Sequence, residues 1–246
     1  MTGPAQAAPE PRPRSVRRQD KERAILREAE SQFARYGFEG ASLEGIGAAI
    51  GISRHALLYY FPSKEALYRA VLDDVMSHWL SGMGELARAA DPRSAQGADP
   101  RTALAAYIEA KLASSRERPE GSRVFTKEVM AGAPHYGDAI TERVLPVLEA
   151  DVKAFERWAR AGLVKRVDFR HLIFMIWAMT QAYADHAAQF ALLLGRPGLE
   201  AADFGAAQRT IEAMVLGALL PGLPDAVAGR RLAALRERPS GRGSRR

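Results

Sequence analysis

The chain has 246 residues, 47% of them hydrophobic, enough apolar surface for one small domain and one of ordinary size. It contains no cysteine, which excludes a disulfide framework, a thiolate metal site and a cysteine nucleophile. Its formal charge is +6, unevenly spread: residues 1–70 hold eleven Lys and Arg against eight Asp and Glu, and residues 230–246 hold seven Arg against Glu237, leaving the middle net negative. Basic ends favour phosphate, although arginine-rich tails also occur as solvated ends with no partner.

Residues 1 to about 17 are rich in Pro, Ala and Arg, lack a periodic apolar face, and are predicted to be a disordered basic arm. They lack the continuous apolar core of a secretory signal, and no run in the chain approaches a membrane span. A compact three-helix unit is expected over 18–64. Ile25, Leu26, Ala29 and Phe33 form the stripe of its first helix. Leu43, Ile46, Gly47 and Ile50 fall at i, i+3, i+4 and i+7, so a short second helix presents one apolar face. Ser42 stands where an N-cap belongs, and Gly51 supplies the positive φ of a tight helix-to-helix turn, with Ile52 filling the gap. Ser53 caps a third helix, Arg54 to Tyr60. Its apolar side is Leu57 with Tyr60 and Phe61, which leaves Arg54, His55, Leu58 and Tyr59 facing elsewhere. Pro62 ends that helix and Ser63 caps the next.

The long helix after Ser63 carries Leu67, Ala70, Val71, Asp74, Val75, His78 and Trp79 and begins a second unit over 65–221. ADPRSAQGADP at 90–100 is expected to be a loop, followed by helices over 101–117, 119–131, 138–162, 168–194 and 203–219. Gly162 and Gly195 stand where helix C-terminal glycines belong. The stretch 222–246 closes as SGRGSRR and is expected to be mostly disordered. No segment alternates with period two for long enough to make a strand, so the fold class is all-α.

Signs of catalysis are few. The five histidines are scattered at 55, 78, 135, 171 and 186, without a zinc motif, a nucleophile elbow or a phosphate-cradling loop. Asp185 and His186 are neighbours and point about 100° apart on a helix, so they form no prepared acid–base pair. No catalytic residue, metal site or cofactor is predicted. The segment 171–185 is apolar almost all round and reads as a buried helix whose polar members Thr180, Gln181, Tyr183 and Asp185 need partners. Gln181 has two readings: a bond to a neighbouring helix, or a ligand contact whose carboxamide matches the N–H/C=O edge of a cyclic imide.

The stretch GFEGASLEGIGAAIGISRHALLYYFPSKEAL at 37–67, above all YYFPSKEAL, resembles the helix-turn-helix head of the TetR family. Where that family commonly reads Leu-Tyr-X-His-Phe, this chain has Leu57-Leu58-Tyr59-Tyr60-Phe61. Further blocks resemble the RutR branch of the family: ALLYYFPSKEALYRAVL, Trp79-Leu80, SRVFTKEVMAGAP at 122–134 and HLIFMIWAMTQAYAD at 171–185. The resemblance implies a cytoplasmic bacterial regulator, nucleoid-associated when bound, with a helix-turn-helix head joined by a long helix to a ligand-binding and dimerisation body. Double-stranded DNA with a near-palindromic operator is the implied partner. Ser42, Ser53, Tyr59, Tyr60 and Lys64 are then expected on the phosphate side, Arg54 and His55 in the major groove, and Leu58 among them. The branch responds to uracil or thymine, which implies a pocket among Trp79, Phe125, Lys127, Trp177, Thr180, Gln181 and Tyr183, and homodimer pairing through the helices at 168–194 and 203–219. Two alternatives remain at this point: a regulator of an efflux pump sensing a lipophilic compound, and a non-specific structural DNA binder.

Overall fold

A computed structural model of the chain describes residues 14–81, 85–89 and 99–220. All regular structure among the described residues is helical. The head comprises α1 (Arg14–Gly40), α2 (Leu43–Ala49) and α3 (Arg54–Tyr60), and α4 (Lys64–Ser81) leads out of it. Helix α1 starts at Arg14 rather than after residue 17, because from there to Gly37 no Gly or Pro interrupts a helix already anchored by packed residues downstream. Gly37, at φ 73°, breaks its last turn. The remainder of the predicted arm and the predicted tail at 222–246 lie outside the described residues.

The caps form as the sequence indicates. Ser42 Oγ accepts from the Gly45 amide at 3.0 Å, Ser53 Oγ from Ala56 at 3.1 Å and Ser63 Oγ from Ala66 at 3.1 Å. Gly51 has φ 67°. Gly47 has a separate reason to be glycine: a Cβ there would lie 2.6 Å from the carbonyl oxygen of Ile52, where the turn folds back onto α2.

The body contains α5 (Glu85–Ala89), α6 (Pro100–Glu117), α7 (Pro119–Met130), α8 (Gly137–Arg160), α9 (Phe169–Asp185), α10 (Ala187–Leu193) and α11 (Ala201–Leu219). The short α5 was not anticipated, although its Leu86 is fully buried. Most of the loop expected at 90–100 lies outside the described residues, but Asp99 caps α6 by accepting from the Arg101 and Thr102 amides, with Pro100 in the first turn. The helix expected over 168–194 is two helices: His186, at φ −108° and ψ 17°, interrupts it between α9 and α10. Just before that break, the Asp185 carboxylate is held to α7 by the hydroxyls of Ser122 and Thr126, both at 2.7 Å.

Among the described residues, two apolar clusters organise the chain. Under the head, Ile25, Ala29 and Phe33 of α1 meet Ile46, Leu57 and Leu67. Val124 of α7 and Tyr136 beside α8 join this cluster, so the body forms part of the head's floor. The second cluster, among α6, α8, α9 and α11, includes Leu104, Ile108, Phe155, Trp158, Ile173 and Ile211. Each such side chain contributes about 1.5–3 kcal/mol on burial. Leu80 packs against both clusters.

Head and body are also joined by charge. The Arg118 guanidinium, between α6 and α7, pairs with the nearly buried Glu30 of α1 and with Asp74 of α4, the latter at 2.7 Å. A Cβ at Gly121 would lie 2.9 Å from Val75 and 3.1 Å from Glu30, so α7 and its two neighbours meet at a glycine. Helix α9 is not buried all round. Phe174 and Met175 are 41% and 58% exposed in the single chain, and nearby elements leave Leu192, Leu193 and Met214 exposed as well.

Candidate functional site

The helix-turn-helix surface gathers part of the residues singled out from the sequence. A shallow groove is lined by Ser42, Glu44, Arg54, Leu58 and Lys64 among others. Arg54 is exposed and its Nε lies 3.2 Å from the Glu44 carboxylate, so in the free chain the guanidinium is held across α2 and α3. His55 is exposed and Tyr59 is 71% exposed, with the Tyr60 ring edge-on to it at 5.4 Å. Lys64 donates from Nζ to the Glu39 carbonyl at 3.2 Å and lies 4.6 Å from the Phe38 ring centre, so one of its three donors is engaged within the head. The sequence reading missed Arg18. Its guanidinium lies 5.7 Å from the centre of the Tyr59 ring and pairs with Glu22, adding positive charge from α1 beside the exposed tyrosine. The Arg18–Glu22 spacing of four was the available signal, obscured by the Pro/Arg-rich stretch before it.

A cavity of about 270 Å³ lies among α4, α6, α7, α8 and α9. Ligand pockets typically span about 300–1,000 Å³, and an apolar void of about 150 Å³ already admits one benzene ring, so this one suits a small molecule. Trp79, Phe125 and Trp177 supply aromatic wall, with Trp79 and Phe125 edge-to-face at 4.8 Å. Met76, Val129, Ile140 and Val144 supply the aliphatic part. Of the seven residues expected to bind ligand, Trp79, Phe125, Trp177, Thr180 and Gln181 line this space. Lys127 and Tyr183 do not. Lys127 is exposed and donates to the Arg35 carbonyl of α1 at 3.3 Å, while Tyr183 packs against Phe190 and Phe204. Each stands two positions from a cavity residue, Phe125 and Gln181, and two helical steps turn a side chain to the far side.

Most polar groups at the cavity already have partners. Ser114 donates to the Ala110 carbonyl, Ser115 to Thr180 and Thr180 to Ile176, at 3.1, 3.0 and 2.8 Å. The Trp177 indole donates to Tyr107 Oη at 2.6 Å. Gln181 makes the bond to a neighbouring helix that one of its two readings expects, and it also lines the cavity. Its Nε2 donates to Thr126 Oγ1 at 3.0 Å, and Thr126 donates in turn to Asp185, which fixes the plane of a carboxamide that also lines the cavity.

Two charged residues of the body were not foreseen, and one of them lines the cavity. Lys111 lines it, with Nζ 5.5 Å from the Trp177 ring centre and 5.9 Å from those of Trp79 and Tyr107. Burial pulls its pKa down to about 8, against the attraction of Asp151. Asp151 of α8 is fully buried, and burial pushes its carboxyl up to about 6 while Lys111 and the Ala87 amide act in the opposite sense. Among the described residues, neither Asp151 oxygen closes a hydrogen bond of good geometry, and the Ala87 amide is the only backbone donor that acts on it. The signal available was Tyr107, Lys111 and Ser115 recurring at i, i+4 and i+8, which places a lysine on an apolar stripe. Among the described residues no group of three or more His, Asp or Glu is arranged to hold a metal ion, and no helix is long and apolar enough to cross a membrane.

Residues 25–71 match the family model described as bacterial regulatory proteins, tetR family, and residues 72–222 match that of the C-terminal region of YcdC-like proteins. The chain is 36% identical over 201 residues to the HTH-type transcriptional regulator RutR of Escherichia coli K12, covering 82% of this chain and 91% of the relative. Among solved structures it is similar to the ketosteroid transcriptional regulator KstR2 of Mycobacterium tuberculosis, with TM-score 0.64 and 18% identity over 82% of this chain and 95% of that one. It is also similar to AibR, solved with isovaleryl coenzyme A and operator DNA, with TM-score 0.56 and 20% identity over 79% and 97% of the two chains. These structures share the fold of a helix-turn-helix head on a helical body. Two family models that together span 25–222, and a relative matched along most of its length, show that this chain belongs to the TetR family of DNA-binding transcriptional regulators, not to a family of enzymes.

Proposed function

We propose that the protein regulates pyrimidine utilisation, binding a near-palindromic operator as a homodimer and releasing or engaging it in response to uracil or thymine. The observation that carries this reading is Gln181, a carboxamide held in plane by Thr126 at the wall of a one-ring cavity flanked by Trp79, Phe125 and Trp177. One Gln181 N–H and its carbonyl oxygen remain to face the N–H/C=O edge of an imide, and the rings cover its flat faces. The similarity to RutR supports the reading. In the head, Arg54 and His55 face the major groove, while Ser42, Ser53, Tyr59, Tyr60 and Lys64 lie along the phosphates with Leu58 beside them. The effector acts by binding one arrangement of head and body more tightly than the other.

Calorimetry with uracil and thymine tests the reading. Gln181→Leu leaves the ligand's polar edge unpaired and is expected to weaken binding by about 1–3 kcal/mol. A protein that binds its operator but gives no heat with either base at millimolar concentration would refute the pyrimidine assignment and leave the family assignment intact. The apolar lining also fits a lipophilic effector of the kind sensed by efflux regulators. Thermal stabilisation by hydrophobic cations but not by uracil would select that reading, although a lysine in the wall opposes a cationic guest.

A further inference from the structure

We propose that Lys111 is a ligand-binding residue of the cavity, donating a hydrogen bond to an exocyclic carbonyl oxygen of a planar ring. This rests on reading the cavity as the effector site, and goes beyond it by naming the group that takes the second polar edge of the ligand.

The cavity's unused hydrogen-bonding capacity is the first argument. The hydroxyls of Ser114, Ser115 and Thr180 already donate to backbone carbonyls, and one Gln181 N–H is engaged by Thr126. Lys111 makes no hydrogen bond or ion pair to any described residue; its neighbours at Nζ are three ring centres 5.5–5.9 Å away. Ring faces attract the cation but accept its N–H groups poorly, so three donors border a space with little to receive them. A guest that satisfies them carries acceptor oxygens. A bare hydrocarbon would leave a desolvated ammonium unpaired.

The second argument is the shape of the space beside the ammonium. Rings of Trp79, Tyr107 and Trp177 stand around Nζ, and Trp79, Phe125 and Trp177 wall the cavity, so a flat guest fits with its acceptor edge towards Lys111. A carbonyl oxygen placed there gains a charge-assisted hydrogen bond.

The test is calorimetric titration of the full chain with uracil, benzamide and toluene. Wild type is expected to bind uracil at least tenfold more tightly than toluene. Lys111→Met should weaken uracil binding tenfold or more while toluene still enters, which shows that the cavity has kept its shape; Lys111→Gln, which keeps a donor, should fall between. Near-ultraviolet circular dichroism and a cooperative melt establish that each variant is folded. Uracil binding unchanged in Lys111→Met, or a wild type that prefers toluene, would each overturn the proposal. Binding of benzamide but of no pyrimidine, with the same loss in Lys111→Met, would sustain the role of Lys111 and reject the pyrimidine effector instead.

Discussion

At the scale of single residues, the two sites place opposite demands on charge. On the head, Arg54 and Lys64 are both cations, but the first sits on the exposed face of α3 while the second is bonded to the end of α1. Lys64→Ala is expected to weaken binding to all DNA sequences alike and to lower the slope of log affinity against log salt by about one unit. Arg54→Ala should relax preference at one base pair, by about 1–3 kcal/mol if the contact is bidentate, as read by competition with operator variants. In the body, both Lys111 and Asp151 oppose folding. Burial pushes the Asp151 carboxyl up to about 6, so the folded state holds that proton more tightly; the charge penalises the fold fully above about pH 6 and less as pH falls. Burial pulls Lys111 down to about 8, so its penalty is full below about pH 8 and fades as pH rises. The double variant Lys111→Met/Asp151→Asn should therefore be more stable than wild type by on the order of 1 kcal/mol or more, most clearly between these two values. Thermal melts from pH 5 to 10 would show the gain as a maximum near neutrality, and a flat or negative difference would contradict it. Such a cost in stability is what a binding site imposes on a fold.

At the scale of elements, α7 is the joint. One side of it presents Phe125 and Val129 to the cavity, Thr126 holds Gln181, and Lys127 and Gly121 meet α1. The cavity and the head therefore press on the same helix. Arg118 at its start is the anchor to test: Arg118→Ala leaves the buried Glu30 without its cation, and losses of about 3–5 kcal/mol accompany the breaking of such pairs. A lower Tm and faster amide exchange across α1 would be the result, and an unchanged melt would show that the joint is held by packing alone. The sequence showed α7 as a helix at nearly its full length. Its two-sided role was hidden, because Glu30, Asp74 and Arg118 are separated by 44 and 88 positions.

At the scale of the whole molecule, the single chain leaves Phe174, Met175, Leu192, Leu193 and Met214 exposed across α9, α10 and α11. Apolar surface gathered in this way is what a symmetric partner would cover, and regulators of this family act as dimers. Sedimentation equilibrium at micromolar concentration should return twice the 26.9 kDa chain mass. Met175→Glu together with Met214→Glu should shift it towards a single chain and lower operator affinity with it. A wild type that sediments only as one chain would remove the expectation of a palindromic operator.

What the sequence by itself determined was local: the caps at Ser42, Ser53 and Ser63, the turn at Gly51, the all-helical class and five of the cavity's residues. Each of these depends on neighbours within a few positions or on the 3.6-residue period, or belongs to a block shared with the family. The tertiary structure decided what such patterns leave open. Helical period gives the faces of a helix but not what covers them, so the segment 171–185 read as buried throughout when one side of it faces out of the chain. It gives no measure of desolvation, so Lys111 and Asp151, 40 positions apart, carried no mark of their mutual influence until folding buried Asp151 and set Lys111 in the wall of the cavity. Lys127 and Tyr183 lay in the right blocks but two positions out of phase with the cavity, a difference that only the packed orientation of α7 and α9 resolves.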